Sequence, residues 1–265
     1  MNTQSTDLQG KVALITGAGS GIGKATALLM ARQGATVVAL SRTDDETKET
    51  VAEIEQQGGK ALAVTADISS VDDMQRTCET IQQEFGRLDI VFANAGINGV
   101  WAPIDELEPD EWKRTIDINL TGTYLTIRYA VPLLKRQGGS IIITASVNGT
   151  RIFSNTGATA YSCTKAAQVA MAQMLALELA KHKIRVNVVC PGAIDTNIDE
   201  STEQRDLDKV KEPVEFPEGS IPLTDGQSGT SDDVADLVVF LASDRARHIT
   251  GTPIWIDGAE SLLMG

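Results

Sequence analysis

The chain has 265 residues, of which 42% are hydrophobic and 22% are charged, proportions that are typical of a globular protein. Its formal net charge of −13 argues against binding to nucleic acid or to an anionic membrane, because phosphate contacts need clustered lysine and arginine. No run of about 18 apolar residues is present, so we expect no membrane span. Because the three cysteines show no paired spacing and only two histidines exist, we expect no disulfide framework and no metal site, and we predict a cytoplasmic protein.

Strand and helix patterns alternate along the whole chain. Continuous runs of Val, Ile and Ala are typical of parallel strands that helices cover on both faces, and the alternation implies right-handed crossovers. We therefore predict a single α/β domain over residues 1–265, with a parallel sheet of about seven strands that helices cover on both faces, and with residues 1–8 as a loose tail. The predicted strands are 12–16, 36–41, 61–65, 89–93, 140–145, 185–190 and 253–257, and the predicted helices are 22–33, 43–57, 71–85, 109–136, 158–181 and 231–242.

The first strand and the first helix are joined by a turn that contains four glycines within residues 17–23. This arrangement suits a dinucleotide diphosphate, because bare backbone can approach the phosphates and the helix N-terminus presents free N–H groups. The spacing Thr-Gly-x-x-x-Gly-x-Gly differs from the common G-x-G-x-x-G, so the turn alone also allows a nucleoside-binding methyltransferase or a turn without a ligand. The candidate cofactor-binding residues here are Gly17, Gly19, Ser20, Gly21, Ile22 and Gly23.

Further candidates lie just past the carboxyl ends of later strands, or on the helices that follow, where open α/β sheets bind ligands. They are Asn94, Ala95 and Gly96 after the fourth strand, Asn119, Ser146 and the pair Tyr161 and Lys165, and Pro191 and Gly192 after the sixth strand.

In order and spacing, these motifs resemble those of the short-chain dehydrogenase/reductase family, and the resemblance extends over about residues 8–258. It implies a doubly wound (Rossmann) parallel sheet, and an enzyme that interconverts an alcohol and a carbonyl compound with NAD(H) or NADP(H), usually as a homotetramer. The resemblance also implies that Asn119 anchors a water that relays protons from Lys165, and that Lys165 holds the ribose hydroxyls. It adds Asp67 and Ile68 at the adenine, and Ile194 and Thr196 as further cofactor contacts, with Thr196 at the nicotinamide carboxamide.

Tyr161 and Lys165 are four residues apart and share one face of a helix. A free tyrosine has a pKa of about 10 and is a poor base near neutral pH. We expect the lysine ammonium to lower the pKa of Tyr161, which can then exchange a proton with the substrate oxygen while Ser146 hydrogen-bonds the same oxygen. Two alternatives are a Ser–Lys hydrolase that uses Ser146, which leaves the glycine turn unexplained, and a non-catalytic dinucleotide sensor or scaffold.

The loop after the second strand bears on the choice of cofactor. Ser41 stands where the NAD-type family pattern usually has an aspartate, and Ser41, Arg42 and Thr43 suit a 2′-phosphate. Asp44 and Asp45 would repel a phosphate if they turned inward. We predict NADP(H), with NAD(H) as the alternative.

The expected substrate side contains two long loops, 97–108 and 194–229, and we predict that 194–229 forms a lid. Residues 199–233 carry a net charge of −8, so a lid here would disfavour multiply charged anions, unless the segment is an ordinary solvated loop. We predict that Trp101 either walls the substrate pocket or packs at a subunit contact.

Ser146 and Tyr161 are fifteen positions apart, about two more than the family often shows. The intervening residues form either a bulged loop that contacts the substrate or an ordinary surface loop. In the first case the candidate contacts are Arg151, Phe153, Asn155 and Thr156.

Overall fold

The computed structural model describes residues 7–196, 198, 201–212 and 219–264. The strands of this part are β1 (Val12–Thr16), β2 (Thr36–Ser41), β3 (Lys60–Thr65), β4 (Ile90–Ala93), β5 (Gly99–Trp101), β6 (Gly139–Thr144), β7 (Ile184–Pro191), β8 (Thr202–Gln204) and β9 (Pro253–Ile256). Seven of them form one sheet in the order β3-β2-β1-β4-β6-β7-β9, in which every neighbouring pair is parallel. The order reverses direction beside β1, which is the doubly wound arrangement that the sequence predicts.

Helices follow most of the strands. They are α1 (Gly21–Arg32), α2 (Asp44–Gln56), α3 (Val71–Phe85), α4 (Pro109–Ile116), α5 (Gly122–Leu134), α6 (Thr159–Ala180), α7 (Ser231–Ala242) and α8 (Glu260–Met264). One π-helical turn, Asp117–Thr121, joins α4 to α5. No helix within the described ranges is long and apolar enough to cross a bilayer.

The sheet separates two apolar cores, which explains why its strands are hydrophobic on both faces. Alternate residues of β1 enter different cores: Leu14 packs with α3, α5 and α6, whereas Ala13 and Ile15 pack with α1 and α7. All five residues of β1 are buried. Fully burying a side chain such as that of Leu14 stabilises the fold by roughly 1.5–3 kcal/mol, so the carboxyl ends of the strands are rigidly held.

Three features differ from the sequence-based expectation. The predicted helix 109–136 is two helices separated by the π-turn, and the two predicted loops 97–108 and 194–229 each contain a short strand, β5 and β8. In the predicted tail, residues 1–6 lie outside the described part, and Leu8 is fully buried with its N–H bonded to the Gln33 carbonyl. Leu8 belongs to the core because it packs beneath the end of α1 with Met30 and Ala31.

Candidate active site

A cavity of about 1030 Å³ lies past the carboxyl ends of the strands of the large sheet. Residues that follow β1, β2, β4, β6 and β7 form one part of its wall, and β5 and β8 form another. The predicted site residues all line this cavity except Gly19, Gly23 and Asn119. The structure therefore brings together residues that are up to about 180 positions apart in the chain.

Each glycine of the turn between β1 and α1 is needed for its own structural reason. Gly17 and Gly21 have φ angles of +69° and +51°, a region that residues with a side chain rarely adopt. At Gly23 a Cβ would lie 1.9 Å from the Gly17 carbonyl oxygen, so Gly23 permits the close packing of α1 on the turn instead of lining the cavity. At Gly19 a Cβ would lie 2.7 Å from Oε2 of Glu46, which covers this glycine.

A hydrogen-bond network fixes the ends of β1, β4 and β6 relative to one another. The Thr16 hydroxyl accepts from the N–H groups of Asn94 and Ala95 at 3.0 and 3.1 Å, and Asn94 Nδ2 donates to the Thr16 carbonyl at 3.2 Å. The Thr144 hydroxyl donates to Asn94 Oδ1 at 3.0 Å. Asn94 therefore ties three neighbouring strands together and holds Ala95 and Gly96 at the cavity wall.

Ser146, Tyr161 and Lys165 meet at the next part of the wall. Lys165 Nζ lies 5.3 Å from the centre of the Tyr161 ring and donates to the Thr144 carbonyl at 2.9 Å. The Ser146 hydroxyl accepts from the Asn148 N–H at 3.1 Å and lies beside the Tyr161 side chain. All three residues are buried, with exposed fractions of 3–7%.

Burial sets the protonation of this cluster. It raises the pKa of Tyr161 to about 12, although the hydrogen bond from Ser146 acts in the opposite direction. Burial also lowers the pKa of Lys165 to about 8. The pKa of Tyr161 is therefore raised, not lowered as expected from the nearby Lys165, in the protein without its ligands, because desolvation of the buried phenol is the dominant cause.

Asn119 lies behind the cavity wall, in the π-turn between α4 and α5. Its side chain bonds both backbone groups of Ile97: Oδ1 accepts from the N–H, and Nδ2 donates to the carbonyl, each at 2.8 Å. Its own carbonyl accepts from Gln168 Nε2 at 2.8 Å. Asn119 thus connects the loop after β4 to α6, the helix that carries Tyr161 and Lys165.

The end of β2 forms the far end of the cavity. Ser41, Arg42 and Thr43 line it, and Arg42 makes no ion pair within the described residues. Asp44 points away from the cavity, where it pairs with Lys48 and accepts from Thr65. A different carboxylate, that of Glu46, lines the cavity beside Gly19 and Ser41.

Asp67 and Ile68, which follow β3, lie near this end. One carboxylate oxygen of Asp67 accepts from both the N–H and the hydroxyl of Ser69, at 2.8 and 2.6 Å. The side chain of Ile68 packs against Gly122 at the start of α5.

The loop after β7 crosses the cavity in front of the glycine turn. It contains Pro191, Gly192, Ile194 and Thr196, which all line the cavity. The side chain of Thr196 lies 3.4 Å from the position that a Cβ on Gly21 would take, so it faces the N-terminus of α1.

The substrate side of the cavity is built by a second sheet. Gly99–Trp101 pairs in parallel with Thr202–Gln204, and the Arg205 N–H donates to the Trp101 carbonyl at 2.9 Å. The Arg205 guanidinium holds both carboxylate oxygens of Glu111 on α4, at 3.2 and 2.6 Å. The Trp101 ring lies 6.5 Å from the Tyr161 ring, so Trp101 walls the pocket beside the proposed reacting group.

The longer connection between Ser146 and Tyr161 does not place its predicted contacts in the cavity. Arg151 stacks on Trp255, with its guanidinium 3.7 Å from the ring centre, and Asn155 donates to Asn148 at 2.7 Å. Phe153 is 76% exposed. From this connection it is Asn148 that lines the cavity, whereas Arg151, Phe153, Asn155 and Thr156 lie outside it.

Comparisons with known proteins agree with this geometry. The family model described as enoyl-(acyl carrier protein) reductase matches residues 17–259. A 3-oxoacyl-(acyl-carrier-protein) reductase from Thermotoga maritima is 37% identical over 95% of this chain and 98% of its own length. Cyclohexanol dehydrogenase from an Acinetobacter species is 38% identical over 96% of each chain.

The chain is a member of the short-chain dehydrogenase/reductase family. It is thus an enzyme that acts on CH–OH groups, or on the corresponding carbonyl groups, with a nicotinamide dinucleotide.

Solved structures of family members carry the same fold. A 3-ketoacyl-ACP reductase from Sinorhizobium meliloti 1021 is 57% identical, with a TM-score of 0.92 over 95% of this chain and 99% of that chain. A 3-ketoacyl-(acyl-carrier-protein) reductase from Brucella melitensis in complex with NADH is 35% identical, with a TM-score of 0.84 over 96% and 99%. A short-chain dehydrogenase from Burkholderia cenocepacia J2315 in complex with NADP is 32% identical, with a TM-score of 0.83 over the same shares.

The glycine turn fits the diphosphate of such a cofactor. The first turn of α1 contains no acidic residue, and no side chain caps its N-terminus. The N–H groups that begin the helix therefore remain available to an anion. No cluster of three metal-ligating side chains is found in the portion of the chain that the structure describes.

Several cavity residues were not predicted from the sequence. They are Glu46 at the far end, and Asn98, Glu111, Arg114, Asn148, Ser201, Thr202 and Glu203 on the substrate side. Asn98, for example, donates to the Thr202 hydroxyl at 2.7 Å across 104 positions of sequence. The Asn98–Thr202 contact accompanies the β5–β8 pairing, and no local pattern indicates a pairing between two three-residue strands.

Proposed function

We propose that this enzyme interconverts a secondary alcohol and a ketone with NADP(H), with Tyr161 as the general acid or base. The observation that carries the proposal is the meeting of Ser146, Tyr161 and Lys165 at the wall of one cavity that also reaches the N-terminus of α1.

The cofactor supplies or accepts the hydride when bound. In the reductive direction the Tyr161 hydroxyl donates a proton to the substrate oxygen, and the Ser146 hydroxyl donates a hydrogen bond to the same oxygen. Lys165 has three N–H donors, of which one holds the Thr144 carbonyl, so others can reach the ribose hydroxyls.

Proton transfer from buried Tyr161 needs a compensating positive charge. The site without ligands holds the pKa of Tyr161 near 12, so the phenolate is strongly disfavoured. The Lys165 ammonium, with Nζ 5.3 Å from the centre of the Tyr161 ring, is a positive charge that the chain itself places near the phenol. Asn119 supports the relay of protons indirectly, since it fixes the Ile97 backbone between Gly96 and α6.

The preference for NADP(H) rests on Arg42, which lines the cavity next to Ser41 and Thr43. The outward orientation of Asp44 supports a 2′-phosphate here, whereas the carboxylate of Glu46 opposes it. Because an arginine can bind a phosphate with two hydrogen bonds, we favour the 2′-phosphate of NADP(H) over the 2′-hydroxyl of NAD(H). NAD(H) remains the second candidate.

The charged residues on the substrate side of the cavity bear on the charge of the substrates that the enzyme accepts. Among the acidic residues of the predicted lid, it is Glu203 that lines the cavity within the described ranges, so any discrimination against polyanions would come mainly from it. Arg114 on α4 contributes an opposing positive charge to the same wall. The expectation that singly charged or neutral carbonyl compounds react faster than polyanionic ones therefore rests on the net charge of −8 over residues 199–233, since Glu203 and Arg114 on the wall have opposite charges.

Assembly and location stay predictions: a homotetramer in the cytoplasm that forms a single domain per chain. Size-exclusion chromatography with light scattering would measure the assembly directly.

Initial rates with a panel of ketones, including a 3-oxoacyl thioester and cyclohexanone, test the proposal. We expect turnover with at least one of them and a higher kcat/KM for NADPH than for NADH. Arg42→Ala should reduce kcat/KM for NADPH about tenfold or more and change that for NADH little, because a bidentate charged contact is lost. A large preference of the wild-type enzyme for NADH would contradict the cofactor assignment.

A further inference from the structure

The chain returns to the cavity after β9. It turns at Gly258 and Ala259, which have φ angles of +56° and +73°, and then forms α8. The Asp257 carboxylate stabilises the turn, since it accepts from the N–H groups of Ala259 and Ser261 at 3.2 and 3.0 Å. This turn brings the carboxylate of Glu260 back to the loop after β7, where Oε2 accepts from the Ala193 N–H at 3.0 Å.

The approach of the C-terminal segment explains why residue 192 is a glycine. A Cβ at Gly192 would lie 2.6 Å from Glu260 Oε2 and 2.7 Å from the Cβ of Asp257. Gly192 therefore has the cavity on one side and these two acidic residues on the other. A larger residue would push the C-terminal turn away from the loop.

Other anchors of this loop are backbone hydrogen bonds and one long hydrogen bond from the Ser231 hydroxyl to the Asp195 carbonyl, at 3.4 Å. The Gly192 N–H donates to the Ile256 carbonyl at 3.0 Å, and Gly229 bonds both Ala193 and Asp195 at 3.0 and 2.9 Å. The Ala193 N–H is held by a side chain, that of Glu260, and that anchor can be removed by one substitution.

The position of Glu260 is unfavourable for the carboxylate itself. Partial burial and the charge of Asp257 raise its pKa above the ordinary value, although the Ala193 N–H acts in the opposite direction. A carboxyl group whose pKa is raised by folding destabilises the folded state at neutral pH. In this position the Glu260 carboxylate makes one favourable contact, the hydrogen bond that it accepts from the Ala193 N–H.

We propose that Glu260 is a positioning residue for the cofactor, because its contact with Ala193 holds residues 192–196 in the conformation that receives the nicotinamide half. This inference rests on the proposed function, in which Thr196 and its neighbours contact that half. Glu260 touches no reacting atom, so its effect is expected on cofactor affinity and not on the proton transfer.

Three variants test the role of Glu260: Glu260→Ala, Glu260→Gln and, as a control on the same helix, Leu262→Ala, whose side chain is 71% exposed. Fluorescence titration gives the Kd for NADPH, steady-state kinetics give kcat and KM, and thermal melting gives Tm. Glu260→Ala should raise the Kd and the KM for NADPH about fivefold to tenfold, since the Ala193 N–H loses its partner, with kcat within about twofold of wild type. Glu260→Gln should restore most of the affinity, because an amide oxygen accepts the same hydrogen bond.

Leu262→Ala should leave the Kd unchanged, and the Tm of Glu260→Ala should stay within about 2 °C of that of wild type. An unchanged Kd for NADPH in Glu260→Ala would overturn the inference. So would an equal loss of cofactor affinity and of Tm in both Glu260 variants, because that result would indicate a structural role. Failure of wild-type protein to bind either NADPH or NADH would instead contradict the proposed function, so the two failures can be told apart.

Discussion

The two ends of the cavity are held together in different ways. At the cofactor end, backbone geometry and the hydrogen bonds between Thr16 and Asn94 fix the wall, and β1 and β4, which carry these residues or precede them, are fully buried. At the substrate end, two three-residue strands and the Arg205–Glu111 ion pair close the wall, with the two side chains 33% and 23% exposed. The cofactor end is therefore part of the rigid core, whereas the substrate end can vary without disturbing the sheet.

The largest expected effect concerns the proton donor at the junction of the two ends. Tyr161→Phe removes the hydroxyl and keeps the ring against Trp101, so kcat/KM should fall by about 10²–10⁴. The Kd for NADPH should change less than about twofold, because the proposed phosphate contacts are at the other end. Tyr124→Phe is the control, since Tyr124 is exposed and lies outside the cavity. Unimpaired turnover by Tyr161→Phe would remove Tyr161 from the mechanism.

Lys165 should show a conflict between activity and stability. Because burial lowers its pKa from 10.5 to about 8, folding disfavours the ammonium, and this penalty is complete below pH 8. Between pH 8 and 10.5 the unfolded chain binds more protons, so the contribution of Lys165 makes the folded state more stable as pH rises. Lys165→Met should reduce kcat/KM about 100-fold, raise Tm at pH 7 and flatten this pH dependence. Thermal melts across the pH range check this, and a lower Tm at pH 7 would contradict it.

A moderate effect is expected from the Arg205–Glu111 ion pair at the substrate end of the cavity. Arg205→Ala breaks the ion pair to Glu111 and should raise KM for the ketone roughly threefold to tenfold, while the Kd for NADPH stays constant. Lys209→Ala on the same segment is the matched control: its partners Glu106 and Asp206 lie outside the cavity wall, and its side chain is 58% exposed. If both variants weaken cofactor binding as strongly as substrate binding, the two ends are not independent.

The smallest effect concerns strain in the C-terminal turn. Ala259 has a φ of +73°, which disfavours any residue with a Cβ, so Ala259→Gly should increase the free energy of unfolding by about 0.5–1 kcal/mol. Tm should rise by about 2 °C. Ala52→Gly, in the middle of α2, should instead lower stability by about 1 kcal/mol. An equal decrease of the free energy of unfolding in the two variants would show that the turn is not strained at Ala259.

The difference between the cofactor end and the substrate end of the cavity also explains which features the sequence could predict. The strands and helices of the seven-strand sheet follow from local periodicity, and α3 and α7 begin and end at the predicted residues, whereas the doubly wound order follows from the family resemblance. Most predicted site residues line the cavity because they sit at strand ends that the core holds in place. Their catalytic and binding roles stay predictions.

What could not be predicted depends on contacts between distant segments. Neither Gly99–Trp101 nor Thr202–Gln204 is long enough to show a strand pattern, and each is stabilised by the other. The direction of the Tyr161 pKa shift was wrong because spacing indicates that Lys165 is near but does not show how deeply the phenol is buried. The sequence points to Asp44 and Asp45, which stand closer to the end of β2, yet it is Glu46 that lines the cavity beside Gly19.

The most direct test of hydride transfer at this cavity is isotope tracing. NADPH that carries deuterium at the transferable position of its nicotinamide ring is incubated with wild-type enzyme and the ketone panel, and the alcohol products are analysed by mass spectrometry. We predict that at least one ketone yields an alcohol containing one deuterium, and that Tyr161→Phe yields about 100-fold less of it although it binds NADPH. Product without deuterium, or undiminished labelling by Tyr161→Phe, would contradict the proposed chemistry.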